Sequence, residues 1–134
     1  MNINEILKGV SCIECGRLHT CPIKEVYIEN GAISHLTTLV SSLNKILIVA
    51  DENTYCAAGE KTEKALGKKS IERVIFTGKE ILIPNENAID TVNAKMNGID
   101  LIVGIGSGVI QDLCKYVSHF AKIPYIIVAT APSM

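Results

Sequence analysis

The chain has 134 residues, 48 % of them hydrophobic and only 4 % aromatic, with no Trp and a formal net charge of −1. That length holds one domain with a real core, and the apolar fraction, with a positive mean hydropathy, excludes a disordered tail. The charge balance argues against an extended nucleic-acid surface, and the few rings leave little for base stacking.

No apolar run reaches the length of a membrane span. The opening MNINEILKGVSCIEC places Glu5 early and has no long apolar core of a signal peptide. A cytoplasmic protein is expected, with its five cysteines reduced.

Residues 1–24 are the least regular part, an irregular leader. They contain CIECGRLHTC, in which Cys12, Cys15, His19 and Cys21 supply four soft ligands with a C-x2-C opening. The closing H-x-C is tighter than the usual H-x3–5-H or C-x2-C pair. A four-ligand cage would need all four side chains to converge within ten residues, so free thiols and no metal are expected.

Val26–Glu29 is a weak strand candidate. Ile33, Leu36, Val40 and Leu43 then recur at helical spacing. KILIVA (Lys45–Ala50) is a continuous apolar run of the kind found in strands covered on both faces. Asn53–Leu66 is a softer helix, supported by a Glu60–Lys64 pair four residues apart.

Val74–Phe76 is a second weak strand. Pro84-Asn85 breaks the chain, Asn85 or Asn87 caps the next helix, Ile89, Val92 and Met96 form its stripe, and Gly98 closes it. LIVG (Leu101–Gly104) and YIIVA (Tyr125–Ala129) are further buried strands. Between them Ile110, Leu113, Val117 and Ala121 mark a helix, and Ile123-Pro124 starts the last strand. Alternating strands and helices imply an open α/β sheet with right-handed crossovers.

Ligands of such sheets bind beyond the carboxyl ends of the strands. Three of those ends carry small or polar residues: Asp51-Glu52-Asn53, Ile105-Gly106-Ser107-Gly108 and Thr130-Ala131-Pro132-Ser133. Gly104, Gly106 and Gly108 would permit positive φ and a close approach to the backbone. Ser107 is placed to cap the new helix, whose free N–H groups and dipole favour an anion. The same glycines also suit a plain strand-to-helix turn. Asp51 fits either a ribose diol or the N-cap of the helix near Thr54. Asp112 and Lys115 are placed to pair with each other.

His35 and His119 belong to no recognisable motif. No Ser-His-Asp or Cys-His order is apparent, and no H-E-x-x-H motif offers a catalytic metal site.

VADENT (Val49–Thr54), GIGSGVIQDLCKYVS (Gly104–Ser118), IPYIIVATAPSM (Ile123–Met134) and the leader with CPI (Cys21–Ile23) together resemble the sn-glycerol-1-phosphate dehydrogenases. These belong to the superfamily of iron-containing alcohol dehydrogenases, glycerol dehydrogenases and dehydroquinate synthases. The resemblance runs over essentially the whole chain and implies an open, mostly parallel Rossmann-like sheet with helices on both faces.

It also implies a cofactor site for NAD or NADP. The turn matching Gly106, Ser107, Gly108, Val109, Ile110, Gln111 and Asp112 would hold the pyrophosphate. The stretch matching Thr130, Ala131, Pro132 and Ser133 would lie along the cofactor, and Asp51 would contact the adenosine ribose. A carboxylate there should repel the 2′-phosphate of NADP, which favours NAD.

In the family, the substrate-binding Asp and the divalent metal ligands, an Asp and two His, lie in what would follow Met134. The metal, zinc or iron, and the substrate, glycerol-1-phosphate or dihydroxyacetone phosphate, are thus expected only in a longer parent. Residues 1–134 are expected to be its N-terminal nucleotide-binding domain, inactive alone and prone to self-association. Another polyol or alcohol dehydrogenase, a dehydroquinate synthase-like enzyme, or a stand-alone nucleotide-binding module remain alternatives.

Overall fold

Seven consecutive residues, KILIVAD, form an inner strand of the sheet because both faces are covered and no polar side chain lies between Lys45 and Asp51. The computed structural model describes residues 3–78 and 83–130 and divides into two units, Met1–Ala32 and Ile33–Met134.

The first unit holds a one-turn helix α1 (Ile3–Ile6) and a short antiparallel hairpin of β1 (Val10–Ser11) and β2 (Leu18–His19). None of its described side chains is buried. The expected strand at Val26–Glu29 is absent: this stretch is largely exposed and pairs with no ladder, which a strand requires.

The second unit carries α2 (Leu36–Leu39), β3 (Lys45–Asp51), α3 (Glu52–Leu66), β4 (Ser70–Phe76), α4 (Glu86–Asn93), β5 (Leu101–Gly106), α5 (Gly108–Ala121) and β6 (Tyr125–Ala129). Its four strands are all parallel, in the order β4-β3-β5-β6. Alternate residues of the same strands feed two cores. Ile46, Ile48, Ala50, Leu101, Val103 and Ile105 pack with Leu36, Val40 and Leu66 on one face. Leu47, Val49, Val74 and Ile102 pack with Val92, Ile110, Cys114 and Val117 on the other. The α3 and α5 helices therefore cover opposite faces.

Several predicted boundaries move. The Ile33–Leu43 stripe is delivered by a 3₁₀ turn over Ala32–His35 and the single turn of α2, not by a long helix. Ser41, Ser42 and Asn44 follow at once, and such residues compete with a helix for its own backbone. Asn85, not Asn87, caps α4: its Oδ1 accepts the Ala88 N–H at 3.0 Å. Gly98 does not close that helix. The helix ends at Ala94 and tightens into 3₁₀-type bonds at Lys95 and Met96, while Gly98, at φ +73°, sits in the turn before β5. The Glu60–Lys64 pair forms at 2.9 Å on the exposed face of α3.

Two polar devices tie the elements together. The Asp100 carboxylate accepts the N–H groups of Asn44 and Lys45, each at 3.0 Å, tying the start of β5 to the start of β3. Those bonds, the Lys45 one foremost, hold Asp100 below the ordinary carboxylate range. Arg73 on β4 grips Glu63 on α3 through its Nε and Nη2, and the Tyr55 hydroxyl donates to the same carboxylate at 2.8 Å.

Candidate functional site

Because β3 and β5 are parallel neighbours, their carboxyl ends open on one edge, with Asp51 closing one strand and Gly106 the other. The helices that follow them leave toward opposite faces, which makes this the switch point of the sheet. A crevice at such a point is where open α/β sheets take their ligands. The β6 strand extends the same edge: Ala129 pairs with Gly106, and the Thr130 N–H donates to the Gly106 carbonyl at 3.2 Å.

The glycine turn is built differently from the sequence expectation. Gly104 does not have positive φ. Its missing Cβ serves packing: a methyl there would lie 2.7 Å from Sγ of Cys114, 2.8 Å from Cδ1 of Ile127 and 3.1 Å from Cγ2 of Ile110. Gly106 is buried, and a Cβ on it would lie 2.8 Å from Cβ of Ile110. Both glycines thus let α5 approach the sheet. Gly108 likewise lacks positive φ and occupies the first helical position of α5.

The start of α5 differs chemically from its two long counterparts. At α3, the Asp51 Oδ1 accepts the Thr54 N–H at 2.8 Å and Thr54 Oγ1 accepts the Asp51 N–H at 3.1 Å. At α4, Asn85 caps. At α5 the N-cap residue is Ser107, as expected, but its hydroxyl makes no capping bond. The first intrahelical bond runs from the Gln111 N–H to the Ser107 carbonyl at 2.9 Å. The N–H groups of Gly108, Val109 and Ile110 therefore have no acceptor within the helix. They point, with the helix dipole behind them, toward the shared strand edge.

The other named residues sort by this geometry. Ser107, Gly108, Val109 and Gln111 are half-buried at the turn, whereas the Ile110 side chain is in the core and offers only its backbone. Asp112 and Lys115 are exposed on α5 and form no ion pair with each other. Thr130 is exposed at the end of β6. Ala131, Pro132 and Ser133 lie outside the described residues. Asp51 takes the capping role, with its Oδ2 accepting no bond among the described residues.

In the first unit, the ligand atoms of Cys12, Cys15 and His19 lie within 4.8 Å of one another, and Cys21 is outside the group. The tight spacing that disfavours a four-ligand cage does not keep three of the ligands apart. The Gly after the C-x2-C pair, Gly16 at φ +66°, is the sequence signal of the turn that gathers them.

Residues 27–134 match the iron-containing alcohol dehydrogenase family. The chain belongs to that family. A glycerol-1-phosphate dehydrogenase (NAD(P)+) from Geobacillus thermodenitrificans is 28 % identical over 119 residues, covering 84 % of this chain and 30 % of the relative. Its counterpart from Halalkalibacterium halodurans is 29 % identical over 144 residues, covering 98 % of this chain and 36 % of the relative. The chain thus spans about a third of the length of these curated relatives. A solved glycerol dehydrogenase from Schizosaccharomyces pombe superposes with a TM-score of 0.61 at 21 % identity, over 74 % of this chain and 25 % of that one. The fold is therefore the Rossmann-like one of this family.

The iron in the family's name is not fitted by the sheet edge. Among the described residues, the only group of three metal-capable side chains is the Cys12, Cys15 and His19 trio of the first unit. No helix among the described residues is long and apolar enough to cross a membrane.

Proposed function

We propose that this chain is the dinucleotide-binding part of an NAD(P)-dependent, metal-dependent glycerol-1-phosphate dehydrogenase. The observation that carries the reading is the uncapped start of α5 at the switch point. Three N–H donors lie at a strand edge to which α5 comes close because Gly106 has no side chain to hold Ile110 off, while the neighbouring helices are capped by their own side chains. A pyrophosphate is the dianion that such a turn accommodates.

The roles follow from position. The Gly108, Val109 and Ile110 amides hold the pyrophosphate. Asp51, while capping α3 through Oδ1, accepts a ribose hydroxyl through Oδ2, and its charge disfavours the 2′-phosphate of NADP. Thr130 and the residues after it run along the cofactor. When bound, the cofactor supplies the acceptor or donor of a hydride. This chain's residues bind and orient it, and the relatives' further two-thirds would supply the metal, zinc or iron, and the triose phosphate. The chain alone then binds without turnover.

The test is isothermal titration of the 134-residue chain with NAD, NADP, ADP-ribose and nicotinamide mononucleotide. ADP-ribose should bind nearly as well as NAD, since the assigned contacts lie on that half, and NAD should bind better than NADP. Affinity should fall between micromolar and millimolar, or about −8 to −4 kcal/mol. Mononucleotide binding as tightly as ADP-ribose would contradict the assignment. Sustained oxidation of glycerol-1-phosphate by the chain with added zinc or iron would contradict its inactivity.

A further inference from the structure

The first unit lacks what usually holds a fold together. Between Ile3 and Ala32 no described side chain is buried, and Ile13 and Leu18 are exposed. A two-stranded hairpin with no apolar face to bury is marginal in water. Units this small normally rely on a disulfide or a metal. The cysteines of this chain are free thiols.

The hairpin is nonetheless closed in a specific way. Val10 pairs with His19 and Ser11 with Leu18, and the Cys12 N–H donates to the Arg17 carbonyl at 2.9 Å. The loop Cys12-Ile13-Glu14-Cys15-Gly16 turns back so that the Gly16 N–H reaches the Cys12 carbonyl at 3.0 Å, with Gly16 left-handed at φ +66°. This turn aims backbone donors at the first sulfur. The Cys15 N–H, the Cys15 thiol and the Glu14 N–H hydrogen-bond to Cys12. His19, on the returning strand, brings Nε2 to 3.1 Å from the Cys15 sulfur.

We propose that Cys12, Cys15 and His19 form a binding site for a borderline-soft divalent cation, zinc above all, that clamps this hairpin. Two thiolates and an imidazole are a donor set that zinc favours. Around a tetrahedral ion, sulfur–sulfur separations are roughly 3.8 Å and sulfur–nitrogen about 3.5 Å, from bond lengths near 2.3 and 2.05 Å. The Cys15 Sγ–His19 Nε2 distance is 3.1 Å and no two ligand atoms lie more than 4.8 Å apart, a cluster small enough for one ion to join. An ion would widen the Cys15–His19 contact slightly. Binding replaces the proton held between Cys15 and His19 and any remaining on Cys12. Cys21 stands outside the trio, so the fourth position is open to water.

The site belongs to the first unit and makes no use of the dinucleotide crevice. Its test uses the whole chain, stripped with EDTA, kept reduced with a phosphine, and titrated with cobalt and then zinc. One cobalt per chain should give tetrahedral visible bands and a thiolate charge-transfer band, both erased by zinc. Cys15→Ser and His19→Ala should each weaken binding by roughly 100-fold or more, whereas Cys21→Ser should bind as the parent does.

A readout free of variants is alkylation followed by mass spectrometry. Zinc should protect Cys12 and Cys15 and leave Cys21 and Cys56 reactive. A cobalt spectrum lacking the thiolate band, zinc that fails to protect Cys12 and Cys15, or unchanged binding in Cys15→Ser would overturn the site. Loss of binding in Cys21→Ser would overturn the three-ligand assignment.

Discussion

At Gly104, space and not torsion decides the residue. Alanine there would press its methyl against the Cys114 sulfur and Ile127, both inside 3 Å. Neither neighbour sits loosely: Cys114 is fully buried and Ile127 is in the same core. Gly104→Ala should therefore lower stability by about 1–3 kcal/mol, the usual range for an overpacked core, as read by urea unfolding. An unchanged midpoint would mean that α5 moves away freely. Burial also sets the chemistry of Cys114, whose thiol is pushed up to about 12. It should resist alkylation in the folded chain near pH 8 and react only on unfolding, whereas exposed Cys56 reacts at once. Equal rates for the two thiols would show that the α5 face opens readily.

At the scale of elements, the start of α3 separates structure from function within one side chain. Asp51→Ala removes the cap from Thr54 and should cost about 1 kcal/mol of stability. Asp51→Asn keeps a capping oxygen and loses the charge. It should retain stability while narrowing the preference for NAD over NADP. A preference equal to the parent's would remove Asp51 from the cofactor site.

The clasp between α3 and β4 has its own signature in pH. The Arg73 hydrogen bonds hold the partly buried Glu63 below its ordinary value. A lowered folded pKa means that the stabilisation is complete above the unfolded value and is lost as pH falls through the folded one. Glu63→Gln should thus be about 1 kcal/mol less stable than the parent at neutral pH, a gap that closes as pH falls below the ordinary glutamate range. A gap that persists in acid would assign the loss to packing.

These elements also show where sequence reading reaches its limit. KILIVA, LIVG and YIIVA were legible because strands covered on both faces leave an uninterrupted apolar run. Val26–Glu29 shows the converse: strand-like residues form no strand without a ladder beside them. The stripe at Leu36 and Val40 correctly named core residues but not helix length, because one turn suffices to seat both. At the site, the glycine pattern was visible. Its physical basis at Gly104 was not, since the contacts with Cys114 and Ile127 join residues 10 and 23 positions away. The missing cap at Ser107 is likewise a matter of side-chain geometry that residue type does not encode.

At the scale of the whole molecule, β6 is the last strand of the sheet among the described residues, and its apolar residues are only half covered. On α5, the exposed rings of Tyr116 and Phe120 meet at 4.7 Å, tilted by 46°. Exposed rings and a half-covered strand favour self-association. We expect sedimentation to show concentration-dependent dimers or larger species at tens of micromolar, weakened by Phe120→Glu. A clean monomer over that range would contradict this.

The central claim is that the turn from β5 into α5 is an anion cradle and not a bare connector. Its most direct measurement is a titration of the isotope-labelled chain with NAD, followed through the backbone amide resonances. The amides of Gly108, Val109 and Ile110 should shift most, with Asp51 following, and Gly106→Val should abolish the response by setting a branched side chain against Ile110 while the remaining amides keep their folded dispersion. If the Gly108–Ile110 amides stay still at millimolar NAD, or move equally in folded Gly106→Val, the turn is only a connector.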